Sequence, residues 1–511
     1  MAGQFGKLVP RFRGQDLEGN EMKRHVVNGS IMASLTAVVV VLWAMLASVP
    51  KTSAIPAFSR KYQTSCTTCH NNYPELNDFG EAFKKNGFKF PKDDETFVKE
   101  PPVLLGSKAQ KEAFPGAVYP GEIPGFLPVA FRYEGNFTWN RKQPAGVIAQ
   151  NGFFTPRTDL FAPNTFTIIS AGSFGPNLSF WIDDDISTGG AGADGGLGDG
   201  YLKYSNIGHF LGLPLNSLNV RFGQFELDLP FTQARTIYPS DYDIYDQASV
   251  ATIPGGQNLG TTNNPFTLGA PQRGIEFGGY PNNGNFTWSV ALVNGNNDSP
   301  AARNTKDVYV RVSQRFNLER DPESRNAIQA AGPTGPHDHT SIRVGAFYYY
   351  GKNQLNLDDI AFPGLGVLSE PFYRIGGDLR FKYRHLELYG VGLYGHDQNH
   401  VVNAADTGFQ HTTPVTFSGG FAGANYWVHP WLITYMRYDF VNSPTDFLNG
   451  ISQNNTRNRF SPGFQVLARA NIKIVGEYQY TFGQPYADPA NPANTLFFRP
   501  NTFQTGIDYV F

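Results

Sequence analysis

Cys66, Cys69 and His70 fall in one hexapeptide, Ser65-Cys-Thr-Thr-Cys-His70, and this 511-residue chain has no other cysteine. C-x-x-C-H is the attachment pattern of c-type haem. Two thiols at this spacing can each form a thioether with one vinyl group of the same macrocycle. The following histidine then lies under the iron as proximal ligand. The competing chemistries are a disulfide, a redox pair or half a zinc site. Zinc needs two further Cys or His ligands at metal spacing, and no nearby second pair exists. A redox pair of the thioredoxin kind would sit in a βαβ pattern, and none surrounds it. The motif therefore predicts one covalently bound haem c, held by Cys66 and Cys69 and ligated by His70.

The elements around the motif are short. Pro74-Glu-Leu-Asn-Asp-Phe-Gly-Glu-Ala-Phe-Lys-Lys-Asn86 reads as a helix with Pro74 at its first position and Gly87 as its stop. Leu76, Phe79 and Phe83 share one apolar face, the face expected to pack on haem. Prolines and glycines crowd 101–126, read as an extended linker. A haem segment spanning 55–100 is too small for a self-sufficient core, so it needs help from the haem and from a barrel wall around it.

Ahead of this segment, residues 1–54 read as an export signal. The apolar run from Ile31 to Val49 follows Lys23-Arg-His25 and precedes Thr52-Ser-Ala54, with cleavage expected after Ala54. An uncleaved membrane anchor is the alternative. Met22 opens a more ordinary signal than Met1, so translation from Met22 is a second possible start. Formal charge is -2, which provides no basic field for nucleic acid. Mean hydropathy is -0.33, so the body has no multi-helix membrane signature.

From about residue 127 the period is two. Phe131, Tyr133, Phe137 and Trp139 alternate with Arg132, Glu134, Asn136 and Thr138, and the same rhythm runs through 373–383 and 472–482. About sixteen strands are predicted, near 129–139, 164–174, 178–187, 200–206, 217–227, 273–280, 285–294, 305–316, 341–352, 372–383, 386–396, 415–428, 432–442, 457–469, 472–482 and 499–511. Tight links such as 175–177 and 384–385 alternate with long loops such as 228–272. Short turns on one side and long loops on the other are the outer-membrane rule. The links 207–216 and 317–340 are long for the turn side, and Pro462 is awkward inside a strand. The predicted fold is an all-β transmembrane barrel over 127–511, plugged by the small helical haem segment. An even strand count puts both termini in the periplasm, and membrane lipid surrounds the wall. The closing Phe503-Gln-Thr-Gly-Ile-Asp-Tyr-Val-Phe511 resembles the last strand of bacterial outer-membrane barrels.

The segment Ile55-Pro-Ala-Phe-Ser-Arg60, Cys66-Thr-Thr-Cys-His70, Tyr73-Pro-Glu-Leu-Asn77, Phe79-Gly80 and Asn86-Gly-Phe88 resembles the fused outer-membrane cytochrome–porin family of iron-oxidising bacteria. The close match covers about 35 residues of motif; the barrel matches in architecture. The resemblance implies an extracellular Fe(II) oxidase. Electrons from Fe(II) or another outside reductant would enter the haem and pass to a periplasmic c-type cytochrome or similar carrier. It carries over Cys66, Cys69 and His70 alone.

The iron's distal ligand is open. Met436 shares a strand face with Leu432, Tyr438 and Phe440 and is expected to face lipid. His209, His337, His339, His385 and His429 fall on turns; His396, His400 and His411 fall on loops. Asp183 and Asp185, beside Trp181 on the lumen face, and Asp241, Asp243 and Asp246 in the longest outer loop, are hard ligands that would suit an Fe(II) encounter. A hydrated rim is the plainer reading of both groups. An apolar band about 25 Å tall separates the two sides. A haem inside the barrel is near both; a haem dangling below it is not. A diffusion porin or transporter with a structural haem, and a conduit running outward to an extracellular acceptor, remain alternatives.

Overall fold

The computed structural model describes residues 56–511, apart from loop stretches whose longest members are 142–156, 248–263 and 319–339. The export signal (1–54), His337 and His339 lie outside the described residues, as do the side chains of His400 and His411.

Sixteen antiparallel strands close into one barrel. In chain order they are β1 Val129–Asn140, β2 Thr158–Phe174, β3 Leu178–Ile186, β4 Gly196–Tyr204, β5 Asn219–Phe225, β6 Gln272–Gly279, β7 Phe286–Val293 and β8 Asp307–Asn317. There follow β9 Ser341–Asn356, β10 Val367–Tyr383, β11 Leu386–Asp397, β12 Val415–His429, β13 Leu432–Asn442, β14 Arg457–Arg469, β15 Ile472–Phe482 and β16 Thr502–Val510. The seam joins the last strand to the first, with Tyr509 opposite Tyr133. Closure leaves no unpaired edge, the condition for strands in lipid.

Side-chain direction identifies the solvent outside. Along β13 burial alternates residue by residue. Met436 is 53% exposed and Tyr438 and Phe440 are exposed with it, whereas Arg437 is 0% exposed and pairs with Asp439 at 2.7 Å. A water-soluble sandwich would bury the first set and expose the second. Here the apolar set faces out and the charges face in, which is the polarity of a membrane barrel. Pro462 does lie within β14, opposite Met436. Toward β15 the ladder stops at Phe460 and resumes at Gly463, because proline has no N–H to give.

Two segments fill the lumen. One is the N-terminal segment, with α1 Ala57–Tyr62 and α2 Asp78–Lys85. It sits at the end bounded by the tight turns, where Lys89 Nζ donates to the carbonyl oxygen of Gly175 at 3.0 Å. The other is the described part of the chain between β5 and β6, 226–232, 235–247 and 264–271 apart from 265. The sequence places Asp241, Asp243 and Asp246 here in an outer loop. Instead the stretch folds inward, burying Ile237, Tyr238, Tyr242, Ile244, Tyr245, Phe266 and Leu268 against wall residues such as Tyr349, Tyr389 and Phe421. So many apolar side chains have no solvent-facing arrangement of comparable free energy.

The 101–126 stretch is more structured than a linker. Val103–Leu104 pairs with Glu122–Ile123, and Lys108–Ala113 is helical.

Candidate functional site

Local sequence builds the motif's platform. Ser65 caps a short turn over Cys66–Thr68 by accepting from the Thr67 amide. α2 starts at Asp78 rather than Pro74, because the Asn77 side chain accepts from the Gly80 amide at 2.8 Å and caps it there. It stops as expected: Asn86 caps it and Gly87 takes φ +68°. The segment has its own aromatic centre of Tyr62, Phe83 and Phe88, with Phe58 and Phe90 against it. Phe88 meets Trp181 of β3 at 5.5 Å, joining that centre to the wall.

Ion pairs and hydrogen bonds hold the segment in the barrel. Asp78 reaches Arg315 at 3.0 Å and Lys382 at 3.1 Å, and Glu75 reaches Arg380 at 2.5 Å. Lys473 Nζ donates to the Tyr73 carbonyl at 2.7 Å, and Lys203 Nζ to that of Lys85 at 2.6 Å. These barrel partners come from four strands around the wall, β4, β8, β10 and β15, so the segment is a docked plug.

Between plug and wall lies a cavity of about 580 Å³. Cys66, Cys69 and His70 line it together, with Phe83, Phe88, Trp181, Asp183 and Lys473 among the other walls. Asp183 and Asp185 do face this space. Asp183 accepts from Trp181 Nε1 at 2.6 Å and from the Asp199 amide at 3.0 Å. Asp241 also lines it, from the inward-folded stretch. Met436 is on the opposite, outer face of the wall. Among the described residues no group of three or more His, Cys, Asp and Glu side chains is arranged to hold a single metal ion.

The residues fit a covalent haem. The volume is in the range of about 300–1,000 Å³ usual for cofactor sites. Both cysteines are free thiols. Burial pushes the Cys66 thiol up and the Cys69 thiol to about 12, the latter raised further by Cys66. Reactive redox cysteines show the opposite shift. His70 Nδ1 donates to the Pro74 carbonyl oxygen at 3.2 Å. That bond puts the ring proton on Nδ1 and leaves the Nε2 lone pair free, as an iron ligand requires. Burial also pushes the imidazole down to about 4, so it stays neutral.

The three motif residues and the acidic pair of β3, both singled out in the sequence, line one cavity. Sequence reasoning missed Lys473, Lys84, Arg235 and the Ile237–Pro239 wall. The density of Tyr and Ile over 237–245 was the available signal for the last.

No protein-family model matches the chain, and no curated protein matches it. Among solved structures, the Salmonella typhi OmpF complex with daunomycin aligns at 12% identity over 76% of this chain and 98% of that one, TM-score 0.43. The anion-selective porin from Comamonas acidovorans aligns at 11% identity over 75% and 98%, TM-score 0.45. The outer-membrane channel DcaP of Acinetobacter baumannii aligns at 14% identity over 75% and 96%, TM-score 0.44. The chain's own strands define its class: a closed, sixteen-stranded antiparallel β-barrel with an apolar exterior.

Proposed function

We propose that this chain is a bacterial outer-membrane electron conduit. One haem c, attached at Cys66 and Cys69 and ligated by His70, takes electrons from an extracellular donor and passes them to a periplasmic c-type cytochrome or similar carrier. Fe(II) is the donor proposed. One observation carries the reading: the C-x-x-C-H motif opens into a cavity whose other wall is the barrel. A haem there would lie inside the barrel wall rather than below it. The start of β1 at Val129 and the last residue, Phe511, lie at the tight-turn end, taken as periplasmic.

A haem held by Cys66, Cys69 and His70 would supply one-electron exchange. The chain's residues do the rest. The Pro74 carbonyl orients His70. Phe83 and Phe88 exclude water from one side of the cavity, and Asp183, Asp185 and Asp241 present hard oxygens on the other.

The test uses protein matured with its haem and sealed in outer-membrane vesicles. Fe(II) is added outside and the haem absorbance followed. Rapid reduction, absent in Cys66→Ala/Cys69→Ala, is the expected result. Reduction by dithionite but not by Fe(II) would reject the iron donor.

A second reading is a diffusion porin with a structural haem. The polar inner wall, with a stretch folded across the lumen after β5, favours it. Steady solute flux through the wild-type chain in planar bilayers would put it first.

A further inference from the structure

Lys84 lies on α2 four residues after Gly80, so both point to the same side of the helix, and both line the cavity that holds the motif. The same lysine also lines a second chamber of about 130 Å³, with Lys85, Lys203, Arg221 and Arg235. Lys84 and Arg235 thus stand where the two spaces meet, and the smaller one carries Glu75, Glu81, Glu226, Asp228 and Glu276 beside its cations.

The other described cations of the cavity are paired. Arg132 pairs with Glu134 and with Asp508 at 2.9 Å. Lys473 pairs with Asp508 at 2.9 Å. Arg235 pairs with Glu226 and, at 3.8 Å, with Asp199. The Lys84 ammonium makes no hydrogen bond or ion pair at contact distance among the described residues, although it lines this space; the Glu81 and Glu226 carboxylates act on it from farther off. An ammonium drawn partly out of water with no anion at contact distance costs free energy that a contacting anion recovers. A ligand that fills the cavity and meets this need is flat and apolar over most of its area and anionic at one edge. We propose that Lys84 is the partner of a haem propionate carboxylate, with Arg235 beside it; this rests on the haem reading above. Burial and Arg235 push the Lys84 ammonium down to about 8 against the pull of Glu81 and Glu226, and a carboxylate at contact distance would raise it.

The test is made on the holoprotein, in wild type, Lys84→Gln and Lys84→Arg. The haem propionates are labelled with ¹³C, and infrared difference spectra are taken on reduction. The labelled carboxylate stretch should shift in Lys84→Gln and return in Lys84→Arg. The midpoint potential should fall in Lys84→Gln, because a positive charge near the iron favours the reduced state. Labelled bands identical in all three proteins would overturn the assignment. So would a wild-type potential that follows chloride or phosphate concentration while the bands stay fixed, since Lys84 would then hold an anion from solution. The haem reading fails separately, if purified wild-type protein carries no covalent haem.

Discussion

Gly80 of the plug stands against the carbonyl oxygen of Cys69: a β-carbon at position 80 would lie 2.0 Å from that oxygen. The same carbonyl accepts from the Asn77 amide at 3.0 Å, so it cannot swing away without breaking the start of α2. Helix and haem motif are held at contact distance by the missing side chain.

Gly80→Ala should therefore push α2 off the motif. Overpacking of this kind costs about 1–3 kcal/mol. The covalent haem-to-protein ratio, read by pyridine haemochrome, should fall below wild type. An unchanged ratio with unchanged amide exchange over 77–86 would refute the contact.

Asp78 anchors the plug to Arg315 and Lys382, whose side chains are almost wholly buried. Asp78→Ala leaves both cations unpaired, which costs about 3–5 kcal/mol for a buried pair broken on one side. Single-channel recording should show opening events that the wild type lacks. Burial raises the Asp78 carboxyl, but Arg315, Lys382 and their neighbours hold it well below the usual carboxylate range. A lowered folded value means its contribution is present above the unfolded value, about 3.9, and is lost as pH falls below it. Acid below that point should loosen the wild-type plug.

Glu75 should act with the opposite sign. Burial first, and then Glu387, push its carboxyl up to about 7 against the pull of Arg380. A raised folded value gives stability that is full below about 4.3 and is lost as pH rises through about 7. The protection factors of the α2 amides should fall over that window in wild type and stay flat in Glu75→Gln. Equal pH dependence in both proteins would show that another group is responsible.

Met436→Leu should leave the haem spectrum and potential unchanged. Met436 points outward and more than half of it is exposed. A changed spectrum in this variant would mean that the thioether reaches the iron, against the register of β13.

Much of the barrel was legible because lipid outside and charge inside impose an alternation that each strand carries by itself. Leu432-Ile-Thr-Tyr-Met-Arg-Tyr-Asp-Phe-Val-Asn442 shows both faces without reference to any partner. Boundaries were less legible where that signal thins. Gly196, Gly198 and Gly200 have no side chains to alternate, and β4 begins four residues before its expected start at 200. α2 begins later than expected because an asparagine cap outcompetes a proline start.

The sequence by itself determined the C-x-x-C-H spacing, since two thiols and an imidazole in that order are a local property of the chain. It also determined the strand rhythm and the tight turns. Tertiary structure decided which way the stretch after β5 folds, and which wall faces the motif. Lys473 meets the Tyr73 carbonyl across 400 positions, and Arg380 meets Glu75 across 305. Such partners are chosen by barrel closure, which brings distant strands around one lumen. No window along the chain contains both members of the pair.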